Sequence, residues 1–63
     1  MTPEAFARWL AEMQSAGIAP SDRQCAILLG VLPKHIGRYK ARGGDARLSL
    51  ACAALLHRLE PYE

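Results

Sequence analysis

Apolar positions recur along this chain at helical spacing, in four blocks divided by glycine, proline and capping residues. In the first block Phe6, Trp9, Leu10 and Met13 share one helix face, and Arg8, Glu12 and Ser15 lie opposite. This predicts helix one from about Pro3 to Ala16. Thr2 is placed to cap it, Pro3 fits the first helical position, where a missing N–H costs nothing, and Gly17 tolerates the left-handed backbone that often closes a helix. Helix two begins at Ser21, because Ser21-Asp22-Arg23-Gln24 has the form of a capping box. Cys25, Ala26 and Leu29 form its inward face, and Gly30 ends it after about two turns. Ile27 projects to the other side, either as a subunit contact or as a scattered exposed isoleucine. Helix three starts near Pro33 and ends near Arg42, broken by Gly43-Gly44. Helix four runs from about Ala46 to Leu59, with Asp45 as N-cap and Pro61 as stop. No stretch alternates apolar with polar residues, so no strand is expected. The fold class expected is all-α, a single compact four-helix domain over residues 1–63.

Length sharpens that picture. A chain of 63 residues buries only about 60% of its unfolded surface, so a lone core is marginal, and it has no room for an enzyme cleft with walls of its own. Dimerisation is a common remedy at this size. No apolar run is long enough to span a bilayer, and MTPEAFARWL is amphipathic with an acid at Glu4, unlike a signal peptide. Cys25 and Cys52 lie in apolar surroundings without CxxC spacing; the two could form one bridge, but buried free thiols in a reducing cytoplasm are the favoured expectation.

Charge changes the picture more. The formal net charge is only +2, yet five of the eight basic residues are Lys34, Arg38, Lys40, Arg42 and Arg47, with Asp45 the one acid in that span. Such a cluster is either a solvated face or a surface for an anionic partner. On a helical wheel, Ile36 and Tyr39 fall on one side of helix three. Lys34, Gly37, Arg38 and Ala41 fall on the other, flanked by His35 and Arg42. Ala26, Gly30, Val31, Ile36 and Tyr39 also satisfy what a helix-turn-helix needs: a small residue at the crossing, a glycine in the turn and apolar anchors on the second helix. In a DNA groove Gly37 and Ala41 would allow close backbone approach. Arg38 would offer a bidentate contact to guanine, and Lys34 would reach a base edge or a phosphate. The start of helix two, with Ser21, Arg23 and Gln24, would meet the sugar-phosphate backbone. His35, Lys40, Arg42 and Arg47 are further candidates for backbone contact.

Asp22 to Ala41, DRQCAILLGVLPKHIGRYKA, resembles the helix-turn-helix of the Cro and phage-repressor superfamily at Ala26, Leu29, Gly30, Val31, Ile36 and Tyr39. The resemblance covers about a third of the chain (22–41) and implies that Pro33, Lys34, Gly37 and Arg38 face the major groove, with Gln24 on the backbone. More narrowly, LLGVLPKHIGRYKARGG followed by LSLACAALLHRLEPY is similar to small anti-CRISPR-associated (Aca) phage regulators. The Leu28-Leu29-Gly30 turn, the Arg38-Tyr39 pair and the alanine-rich last helix carry that likeness. It implies a dimeric repressor of its own operon. Two departures stand out. Leu32 occupies the position where the family usually has a capping Ser or Thr, and the sequence shows no counterpart of the fifth helix of many relatives.

Helix four is apolar on too many sides for a surface helix. Leu48, Cys52, Leu55 and Leu59 form one face with Leu56 at its margin, while Leu50, Ala53, Ala54 and His57 stand on the far side. A helix apolar all round is normally buried all round, so a two-fold homodimer built on about 46–59 is expected. The competing reading is that the alanines are good helix formers left exposed. Two recognition helices about 34 Å apart would then read an inverted repeat in double-stranded DNA.

Other chemistry is not indicated. His35 and His57 lack ligand spacing with the cysteines, no acid–base pair stands out, and Gly43-Gly44 follows a helix rather than a strand. No metal, cofactor, effector site or enzymatic activity is expected. The leading expectation is a cytoplasmic repressor of a phage or mobile-element operon, with an anti-CRISPR operon one such case. The alternative is a small helical interaction module, antitoxin-like or adaptor, whose basic face meets an acidic protein.

Overall fold

Each helix begins where a local signal tells it to. In the computed structural model, which describes residues 1–60, α1 spans Pro3–Ser15, α2 Asp22–Leu29, α3 Pro33–Arg42 and α4 Ala46–Leu56. Thr2 accepts from the Ala5 N–H, Ser21 from the Gln24 N–H and Asp45 from the Leu48 N–H. Each bond satisfies one of the amide donors that a helix start leaves without a partner. The Ser21 bond is the forward half of the expected capping box. No strand occurs among the described residues. The expected all-α, four-helix fold is the one observed.

The core lies where the four helices meet. Phe6, Trp9 and Met13 of α1, Cys25 and Ala26 of α2, Ile36 of α3, and Leu48 and Cys52 of α4 are buried together. Phe6 is its hub, with ring centroids 5.5 Å from Trp9 and 5.3 Å from Tyr39, the latter pair edge-on. Such pairs add about 0.5–1.5 kcal/mol beyond the area they bury. The Trp9 indole N–H donates to the Cys52 carbonyl at 2.9 Å, so the one polar atom of that ring is satisfied inside the core and α1 is fixed against α4. Ala19, in the α1–α2 connection, is also buried, which its surroundings in the sequence do not signal. Leu10 and Leu29, expected to face inward, are only half-buried and pack on the core's margin.

The ends of α1, α2 and α4 share one device. The chain enters the left-handed region at Gly17 (φ 71°), Gly30 (φ 74°) and Arg58 (φ 57°). The next amide then reaches back five residues: Ile18 to the Met13 carbonyl, Val31 to Ala26 and Leu59 to Ala54. This corrects the expected extent of helix four. The helix stops at Leu56, His57 is its cap, and the chain has turned before Leu59. Leu59 is therefore 64% exposed and joins no core face. The turn carries Arg58 onto the Ala16 carbonyl at the end of α1, at 3.3 Å. Pro61, expected to stop helix four, and Tyr62 lie outside the described residues.

The joint between α3 and α4 is tight. Gly43 has φ 75° and ψ −158°, a conformation that is essentially glycine-only. A Cβ there would stand 2.2 Å from the Met1 carbonyl oxygen. The Met1 amino group donates to the Gly44 carbonyl at 2.8 Å, and the Gly44 N–H returns a bond to Met1 O at 3.0 Å. The start of the chain thus clasps the joint that sets α4 relative to α3.

Candidate nucleic-acid interface

Three residues, Gly30-Val31-Leu32, connect α2 to α3. Gly30 makes the reversal in the left-handed region, where a side chain would cost roughly 1–2 kcal/mol. Leu32 follows in extended backbone, with φ −74° and ψ 148°, and makes no side-chain cap bond. Pro33 then opens α3. The helix packs on both α1 and α2 through Ile36, which is buried, and Tyr39, which is half-buried against Phe6. Half-buried His35 stands beside Tyr39, with ring centroids 6.5 Å apart.

With those anchors fixed, the rest of α3 faces solvent. Pro33, Lys34, Gly37, Arg38, Ala41 and Arg42 are all exposed. Gly37 has nothing within 4 Å of where a Cβ would stand, so no internal contact requires a glycine there. The expected base-reading set, Pro33, Lys34, Gly37 and Arg38, therefore lies along one exposed helical surface. At the start of α2, Ser21, Arg23 and Gln24 are exposed as well.

The basic cluster is divided by its acid partners. Lys40 forms an ion pair with Asp22, joining the last turn of α3 to the first residue of α2. Arg47 donates to Asp45 Oδ2 from Nε at 3.0 Å and from Nη2 at 2.8 Å. Asp45 serves two purposes at once, since Oδ1 caps α4. The Arg47 hydrogen bond, with help from the Leu48 N–H, holds the Asp45 carboxyl below its usual range, and the same contact raises Arg47. Among the described residues Lys34, Arg38 and Arg42 take part in no ion pair, so within this cluster the freely presented charge sits on α3. Asp22 is the first residue of α2, and its place in the chain gives no sign of its pairing with Lys40. Its partner is 18 residues away, and no spacing rule links the two.

An open groove of about 400 Å³ lies beside this surface, floored by Leu29, Val31, Tyr39 and Leu48 and rimmed by the Asp45–Arg47 pair. On α4, Leu50 is 71% exposed, Ala53 and His57 are exposed, and Ala54 is half-buried. Ile27, Leu28 and Leu32 add further exposed apolar surface. The two cysteines are free and buried. Burial pushes the Cys52 thiol up to about 12, and burial followed by the Asp22 charge raises Cys25, so neither is poised as a nucleophile. The described residues hold no group of three or more His, Cys, Asp or Glu side chains that could bind a metal ion. No described helix is long and apolar enough to cross a membrane. Comparison with protein-family models, with curated proteins and with solved structures finds no match for this chain.

Proposed function

We propose that this protein is a sequence-specific, double-stranded-DNA-binding transcriptional regulator, a dimeric repressor of its own operon in a phage or mobile element. An anti-CRISPR operon fits the narrower resemblance. The observation that carries this reading is the division of α3. One side is locked into the core by Ile36 and Tyr39, and the other presents Lys34, Arg38 and Arg42 around Gly37 and Ala41. A rigid helix with free cations and little side-chain bulk on its outer face suits entry into a major groove. In this reading α2 and α3 form a helix-turn-helix, α3 reads bases through Lys34 and Arg38, and the α2 start contacts phosphates. The exposed side of α4, with Leu50, Ala53, Ala54 and His57, pairs with a second copy.

The test is fluorescence anisotropy on duplex from upstream of the protein's own gene, against scrambled duplex, at several salt concentrations. Preference for the native duplex is expected, with a salt slope of several phosphates. Arg38→Ala should then cost about 1–3 kcal/mol on the native site and relax selection at one base position. Equal affinity for the two duplexes overturns autoregulation. A loss in Arg38→Ala that is uniform across sequences demotes Arg38 to a phosphate contact. A second reading, a module that binds an acidic protein, is favoured by exposed Ile27, Leu28 and Leu32 beside the basic helix. Failure to bind any duplex at low salt selects it.

A further inference from the structure

The expected backbone contacts include Lys40, yet the structure does not leave Lys40 free. Its ammonium is held by Asp22, and the two side chains are 48% and 51% exposed. Neither group is sealed from solvent, so another anion can reach the same ammonium. The pair lies at the edge where α2 begins, next to exposed Ser21 and Arg23 and beside an open groove lined by Gln14 and Pro20. Under the proposed function this edge faces the sugar-phosphate backbone. A carboxylate there does three things. It occupies the cation that a phosphate would use, and it sets a like charge beside the phosphate. It also favours α2, because an acid in the first turn complements the positive end of the helix.

We infer that Lys40 is a masked phosphate-contact site and that Asp22 is the mask, limiting the sequence-independent part of DNA affinity; this rests on the DNA-binding reading of α3. The ligand class is a phosphodiester of the duplex backbone. Binding with the mask in place omits one phosphate contact that the fold is otherwise positioned to make.

The full chain carrying Asp22→Asn tests this. Exposed ion pairs contribute little to stability, so the variant should fold, which far-ultraviolet circular dichroism checks. With Lys40 released, the logarithmic salt slope for native and scrambled duplexes alike should steepen by about 0.9, the increment for one phosphate. That slope corresponds to about an eightfold gain in affinity at 0.1 M salt relative to 1 M. Adding Lys40→Gln to Asp22→Asn should return the slope to that of the unaltered protein. Glu12→Gln removes the same charge from the exposed side of α1 and should leave the slope unchanged. The inference is overturned if the unaltered protein binds duplex and Asp22→Asn has the same slope. It is equally overturned if Glu12→Gln reproduces the gain, or if the double variant keeps it. If no variant binds any duplex, the DNA reading itself fails and takes this inference with it.

Discussion

Leu32 has the backbone of a capping residue and none of its chemistry. Its φ and ψ of −74° and 148° nearly match the −79° and 159° of Thr2, which caps α1. Three helices begin with a side-chain cap; α3 does not. Leu32 also gains little from burial, being 58% exposed. Leu32→Ser should therefore stabilise the protein by about 1 kcal/mol, because a hydroxyl at that position satisfies an α3 amide and little apolar packing is lost. For a domain of this size such a gain raises the melting temperature by about 4–8 °C, which calorimetry reads directly. An unchanged or lower melting temperature would mean that Leu32 packs more productively than its exposure indicates.

At the scale of the element, α3 carries a glycine in its interior where geometry does not ask for one. Gly37 sits in regular helix with open space around it. Alanine there should stabilise the fold by about 0.5–1 kcal/mol, by restricting the unfolded chain and favouring helix. The added methyl projects from the outer face between Lys34 and Arg38. The expected outcome is thus a split: Gly37→Ala melts higher and binds the native duplex more weakly. A variant that melts higher and binds equally well would show that the α3 backbone makes no close approach to DNA. What could be read in advance follows the same division between local and distant causes. The starts of α1, α2 and α4 were legible at Thr2, Ser21 and Asp45, because a cap bonds an amide two or three residues on. The inward set Phe6, Trp9, Met13, Cys25, Ala26 and Ile36 was legible from periodicity. The end of α4 was not, since it depends on Arg58 adopting a left-handed conformation that its residue type disfavours. Nor was the fate of Lys40, which is decided by an acid on another helix.

The whole molecule raises the question of what covers α4. A domain of 63 residues has little core to spare, and this one leaves Leu50 71% exposed in mid-helix, with Ala53 exposed and Ala54 half-buried nearby. Alanines permit close helix approach, toward the 8 Å end of the roughly 8–10 Å range of packed pairs, and a two-fold axis would bring both copies of Leu50 to one interface. That arrangement also serves the proposed reading of DNA, since a single α3 offers few contacts and a pair spaced by about 34 Å reads successive grooves. Leu50→Glu places two like charges against each other at such an interface and disturbs nothing inside the protomer, because the side chain is already in solvent. Sedimentation velocity should find the unaltered protein dimeric and the variant monomeric. Thermal stability should depend on concentration for the first and not for the second, because association stabilises the folded state by mass action. Affinity for an inverted repeat should collapse in the variant while affinity for one half-site stays the same. A protein that sediments as a monomer, free and on DNA, would remove the dimer and leave Leu50 and the alanines as exposed helix formers.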